Sequence, residues 1–553
     1  MMPAMRKTPL PSIRHMTVPI PIGGINTVSA GTTMPATDSI YSYNLIGAEY
    51  GLRSRLGWRE WCTGLDGEVR SILPFAGSTK DGANDRLFAT TQTGIWDVSA
   101  SSGSPTEVVT FVTQGSDSGY GNCCSFTDLN GYHWLAYCDE ANGYYTYKES
   151  GASWGQVTYG SGANQMTELS GYGFPTLDPT KLCFVLPWKN RLWFVERDTG
   201  RAWYLGPNQI VGGGTAGAAP FYFGSRFKAG GDLRCLASWT IDGGSGPDDR
   251  LVALSGGGDI VIYAGTDPAS VDTFSIVGVW SAGSVPYGRR LVNDFGGDLV
   301  VLTSTGIIPI SRLSIGNPIV DRTQYSTFKI SNLFNQLMAA TSTLKGWGMA
   351  LHPQDACLMV LVPTAVNQAS QQLVMSLTTR GWHIYRDMPV GLCAAPWGNT
   401  LWFGTQDGRV CANDGYLDGV TRAGTGFTTI NWSLLTAYQN LGSPLQKRIE
   451  LIRPTVLSQG GSINFQTTAK YKWDLTEGDL PQSIPQSIAA MGKSLWDTGL
   501  WDTAVWGGAY STQQKVFGAA GVGPEAAIAI RGSASSRMTL AGIDVSFNVG
   551  GML

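Results

Sequence analysis

Along most of this chain the apolar residues come in short blocks, each cut off by Gly, Asp, Asn, Ser or Thr. The stretch Lys189 to Gly206, KNRLWFVERDTGRAWYLG, shows the unit most clearly. A polar corner leads into a strand, LWFVE; a turn with Asp198, Thr199 and Gly200 follows; a second strand, RAWYLG, returns. This is the pattern of an antiparallel hairpin bounded by turn residues. The same form recurs in NDRLFATTQTGIWDVS from Asn84, GYHWLAYCDEANGYYTYK from Gly131, DDRLVALSGGGDIVIYAG from Asp248, GGDLVVLTSTGIIPISRL from Gly296 and GNTLWFGTQDGRVCANDG from Gly398. CLMVLVP and QQLVMSLTTRGWHIY make a looser, divided copy.

Aligned on the leucine of the first strand, the copies fall at Leu87, Leu135, Leu192, Leu251, Leu299, Leu358 and Leu401, spaced by 48, 57, 59, 48, 59 and 43 residues. A repeat of about 40 to 60 residues built from short strands is what a β-propeller blade needs. Within the array, Ile330, Leu333, Phe334, Leu337 and Met338 follow helical spacing, which predicts one helix near 327–341. It is a clamp on the rim, a subunit contact or a packing element.

The pattern changes at both ends. Residues 1–22 are Pro-rich and read as an extended arm, and 23–68 as strands of a platform layer. The propeller covers 69–416. From 417 to 553, QKRIELIRPTVLSQGGSINFQTTAKYKWDL reads as two long strands around Gly460 and Gly461, and the chain closes in two more. This is a β-sandwich-like domain, or a layer completed by the N-terminal strand. Trp496, Trp501 and Trp506, five apart, fit neither a helix face nor a strand and read as loop anchors of this distal domain. The fold class is therefore mainly β, a propeller of repeated antiparallel hairpins with a sandwich-like addition and few helices.

Charged residues make up only 14% of the chain, against about 25% in ordinary globular proteins, so much of the surface is uncharged and suited to burial in an oligomer. A formal net charge of −3 argues against gripping nucleic acid through its phosphates, and leaves room for a conduit through which DNA slides. The nine cysteines form no CxxC pair and read as small buried residues of a chain folded under reducing conditions. No segment has the length and apolarity of a membrane span, so no stable membrane insertion is expected. Arg53, Arg55 and Arg59 alternate along one strand and so project from one face, which reads as a solvated edge or as a face toward a partner's carboxylates; they are the candidate contacts of a subunit or adaptor interface.

The catalytic search is short. His15, His133, His352 and His383 stand alone, and no HExxH, phosphate loop, GxSxG elbow or EF-hand loop occurs. Most Asp and Glu sit in turns, as Asp248 with Asp249, where turn geometry accounts for them. No catalytic, metal or cofactor residue is nominated.

The opening block, with GGINT, MPATDS and YGLRSRLGW, resembles the start of tail nozzle proteins of short-tailed bacteriophages. TFKISNLFNQL resembles the helix between propeller strands in that family, GWHIY its Trp-aromatic strand, and MTLAGIDVSFNVGGML its closing strand. The resemblance implies a hexameric ring at the end of the tail, assembled in the host cytoplasm and placed beneath an adaptor or portal-side ring. It also implies docking of tail fibres and a channel that retains and then releases double-stranded DNA without sequence-specific binding. At 553 residues the chain is shorter than the larger nozzles. The competing expectations are a propeller-type carbohydrate-binding or receptor-binding tail protein and, behind it, a glycoside hydrolase.

Overall fold

The computed structural model describes residues 13–242, 247–313, 321–364, 370–459, 463–478, 486–488 and 511–550. The protein is mainly β. Each of the seven aligned leucines lies on the second strand of a small antiparallel unit, and each is almost fully buried. Six units are separate sheets, five of four strands and one of three, in the arrangement of propeller blades. The seventh position is filled by Gly348–His352, Cys357–Leu361, Gln371–Ser376 and Trp382–Arg386, which continue into a ten-stranded sheet.

The first strands of the units touch one another in order: Ser71–Phe75, Gly121–Thr127, Leu182–Trp188, Leu233–Asp242, Val292–Phe295, Gly348–His352 and Ala394–Trp397. The last of these touches the first, so the ring is closed. The closing blade is completed by the N-terminal chain. Val410–Asn413 pairs with Arg59–Cys62, with Val410 opposite Cys62 and Ala412 opposite Arg59. The expectation that 23–68 forms only platform strands is corrected here, because Arg59–Cys62 is a propeller strand. Pairing the two ends of the array covers an edge that would otherwise expose unpaired backbone groups.

The hairpin at 189–206 shows why the repeats fold as they do. Lys189 and Asn190 both take positive φ, 46° and 58°, the geometry of a two-residue turn whose twist suits antiparallel strands. They join Leu182–Trp188 to Arg191–Glu196, which pairs in turn with Arg201–Tyr204. Trp188, Trp193 and Trp203 are all buried; Trp193 stacks on Tyr204 at 4.8 Å, and Trp188 meets Phe274 of the next blade edge-on at 5.7 Å. The indoles thus cement neighbouring blades as well as their own.

The helix is Ser331–Thr341, preceded by a 3-10 turn at Phe328–Ile330. Ile330, Phe334 and Met338 are buried, Leu333 and Leu337 partly so, as the spacing predicts.

Beyond the propeller, two sheets face each other. Thr428–Thr436, Ala526–Ala534 and Ile463–Tyr471 lie in one, and Ser39–Tyr43 links it to the Trp382–Arg386 blade strand. Leu45–Ala48, Gly51–Ser54, Met538–Val549 and Lys447–Ser458 lie in the other, with Arg14–Val18 also on Met538–Val549. Leu45, Leu52, Leu434, Ile452, Phe465, Ile530, Leu540 and Val545 share the core between them. The sandwich is therefore built from both ends of the chain, and Arg14–Val18, inside the predicted arm, is one of its strands. Lys447–Ser458 and Ile463–Tyr471 fall in opposite sheets. Among the described residues, no helix is long and apolar enough to cross a membrane.

Candidate functional site

The stretches singled out along the sequence meet in one seam between the propeller and the sandwich. Gly24 bridges Trp382, and the Ile25 N–H donates to the Trp382 carbonyl at 2.8 Å. Gly24 has φ of 77°, and a Cβ there would run into the Trp382 backbone. The Thr27 N–H donates to the Lys329 carbonyl at 2.8 Å, Asn332 donates to the Thr27 carbonyl at 2.6 Å, and Lys329 pairs with the buried Asp38 at 2.8 Å. Trp382 Nε1 donates to the Ser326 carbonyl at 2.8 Å. Leu52 and Arg53 pair with Leu540 and Thr539 of the closing strand. GGINT, Asp38 of MPATDS, YGLRSRLGW, the helix, GWHIY and the last strand are thus one connected body.

His383 lies in this seam and is wholly buried. Its Nε2 accepts from the Gly47 N–H at 3.1 Å, so Nδ1 carries the proton and donates to Ser42 Oγ at 2.9 Å. Burial pushes its pKa from 6.5 down to about 3. It holds a neutral ring in place and faces no solvent.

Two of the three arginines expected at an interface are spent inside the chain. Arg55 is fully buried, forks onto both oxygens of Asp418 at 2.7 and 2.6 Å, and also donates to Asn44 Oδ1, the Leu56 carbonyl and the Arg386 carbonyl. Arg53 pairs with the buried Asp355 at 2.8 Å. Only Arg59 reaches the surface, with a 39% exposed side chain paired to Asp414 at 3.2 Å. The expected single strand is not formed: Gly51–Ser54 ends before Arg55 and is buried on both faces, Arg59 opens the separate propeller strand Arg59–Cys62, and Arg53 and Arg55 turn inward onto carboxylates. Trp496, Trp501 and Trp506 lie outside the described residues.

A second cluster, unforeseen from the sequence, closes the propeller axis where its inner strands begin. Arg289 forks onto Glu140 at 2.8 and 2.8 Å and donates to the Leu233 carbonyl at 2.8 Å, tying three blades together. Arg290 donates to the Arg70 carbonyl at 2.8 Å, and Arg70 to the Ser118 carbonyl at 2.7 Å. The available signal was positional: Arg70, Tyr120 and Trp347 each immediately precede the first strand of a repeat, and Arg289 and Arg290 stand two to three residues before another.

A polar cleft of about 410 Å³ opens on the ten-stranded sheet, with Tyr43, Arg386, Asn431, Asn464, Glu477 and Arg531 among its walls. Arg386 lies over the Tyr43 ring and pairs with Glu477 at 2.6 Å, and Ser433 donates to the same carboxylate at 2.5 Å. Among the described residues, no three His, Cys, Asp or Glu side chains are grouped to hold a metal ion.

No family model matches the chain, and no curated protein matches it. Among solved structures it is similar to the extracellular domain of a hybrid two-component system from B. thetaiotaomicron, at 10% identity and a TM-score of 0.40 over 88% of this chain and 62% of that one. It is also similar to Chaetomium thermophilum Raptor, at 11% identity and TM-score 0.36 over 65% of this chain and 29% of that one. BBS1N in complex with ARL6DN matches at 11% identity and TM-score 0.34, over 65% and 96%. The chain thus spans less than two thirds of the first two proteins, and none of the three likenesses bears on function.

Proposed function

We propose that this β-propeller protein is a ring-forming structural component of a short phage tail, of the nozzle type, resident in the virion and assembled in the host cytoplasm. What supports the reading is the seam. The stretches that carry the resemblance are far apart in the chain, yet the fold joins them through Gly24, Thr27, Asp38, Lys329, Trp382 and Leu540 into one body. In this reading the genome runs between subunits along the ring's axis and not through a propeller, whose blades the Arg289–Glu140 pair ties together. Adaptor and fibre proteins dock on the outside of the same ring.

The test is the mass of the purified full chain by light scattering, with imaging of the particles. Rings of roughly six copies of the 59.1 kDa chain are expected. A protein that stays monomeric at high concentration and on incubation with isolated tails overturns the assignment.

The polar cleft favours a second reading, a carbohydrate-binding or receptor-binding tail protein. Its amide, carboxylate and guanidinium groups are the kind that hydrogen-bond neighbouring hydroxyls of a sugar. A monomer that binds host surface polysaccharide, and loses that binding in an Asn464→Ala variant, is the outcome this second reading expects.

A further inference from the structure

The cluster at the propeller axis encloses a cavity of about 30 Å³ whose walls carry four cations, Arg234, Arg289, Arg290 and Lys345, but a single carboxylate, Glu140. Both oxygens of Glu140 are taken by Arg289. Arg234 leans on Asp232 at 3.2 Å, outside the cavity walls, and Lys345 on the half-exposed Asp117. Arg290 spends a hydrogen bond on the Arg70 carbonyl, and among the described residues it has no carboxylate partner.

Asp232 also stands 3.8 Å from Arg289, and Glu68 3.7 Å from Arg70, which leaves Arg290 as the cation of the cavity without a carboxylate among the described residues. Lys345 lies 5.3 Å from the centre of the Tyr120 ring and 5.5 Å from that of Tyr287, and Arg234 lies 5.2 Å from the latter. Ring faces stabilise a cation without cancelling it. Burial first, and Arg70 second, push the Lys345 amine from 10.5 down to about 8, although Asp117 offers it a partner. Four cations thus surround a small void, and one of them, the half-buried Arg290, has no carboxylate of its own among the described residues; charge withdrawn from water without compensation is costly. A water molecule would fill the space and leave the charge in place.

We propose that the axial cavity binds a small inorganic anion of halide size between Arg290 and Lys345. The volume is right for one such ion or one to two waters and excludes a metabolite. The residues around it come from the starts of inner strands in several blades, so the bound ion pins those strands together at the axis. The proposal holds whether or not the chain forms a ring.

Two measurements on the full chain test it. Crystals grown in sodium bromide should show an anomalous bromide peak in the cavity. At constant ionic strength, replacing gluconate by chloride or bromide should raise the unfolding midpoint of the wild type, with equal increments per tenfold rise in halide once the site is saturated. Arg290→Met and Lys345→Met should each abolish the halide-specific increment. Lys345→Met is the milder change, since its side chain is 21% exposed, and it keeps the test valid if Arg290→Met does not fold. Equal midpoints in halide and gluconate together with no bromide peak in the cavity overturn the proposal; stabilisation by phosphate alone overturns the halide assignment.

Discussion

Replacing Arg55 with Met should destabilise the folded protein by about 3 to 5 kcal/mol, the usual cost of breaking a buried ion pair from one side. Five hydrogen bonds leave with the guanidinium, and Asp418 stays buried with no cation to face. Burial already holds the Asp418 carboxyl above its ordinary range in spite of Arg55, so losing Arg55 should raise it further. The Arg55→Met, Asp418→Asn double variant should be more stable than Arg55→Met alone, because the stranded charge is gone. Denaturant midpoints of the two single variants and the double variant check this. If Arg55→Met and wild type unfold together, the buried pair contributes nothing to stability.

Acid should undermine the seam through His383. A histidine whose folded pKa is about 3, against 6.5 when unfolded, gives stability that is fully present above pH 6.5. Below that the unfolded chain binds a proton that the folded chain refuses. The loss is about 1.4 kcal/mol for each pH unit down to the folded value, or about 2.7 kcal/mol between pH 6.5 and 4.5. Asp139 works in the opposite sense. Burial raises its carboxyl to about 6, despite donors from Asn142 and Tyr137, so its own effect favours the folded state as pH falls from 6 toward 3.8. Comparison with His383→Gln isolates the histidine. That variant should be less stable at pH 7.5, where Gly47 and Ser42 lose part of their bonding, and should show a slope shallower by about one proton below pH 6.5. Parallel stability curves for the two proteins would remove His383 as the source.

The hairpins were legible because their signals are local. Short apolar blocks and turn residues such as Asp198 and Gly200 lie within a few positions of what they control, and every aligned leucine sits on the second strand of its unit. The helix was legible for the same reason, since five apolar residues at helical spacing select one face. The partner of a strand is a different matter. Arg59–Cys62 closes the propeller by pairing with Val410–Asn413, some 350 residues away, and nothing around Arg59 announces it. The two long strands on either side of Gly460 and Gly461 were recognisable, but a Gly-Gly break serves a hairpin and a crossing between sheets equally well.

The candidate site was less legible still. Alternation read Arg53, Arg55 and Arg59 as one strand face, but the strand stops at Ser54 and only the tertiary contacts show which of the three meets water. The answer depends on Asp355 and Asp418, which lie some 300 and 360 residues further along the chain. The axial cluster escaped notice because its arginines lie in different repeats and converge only at the centre. Sequence alone determined the strand-and-turn alphabet, the repeat and the helix, because these follow from backbone geometry and burial of one face over short distances. The tertiary structure alone decided which ends join, which charges are buried and what meets at the axis. Those outcomes rest on contacts between residues hundreds of positions apart, whose closeness no local pattern records.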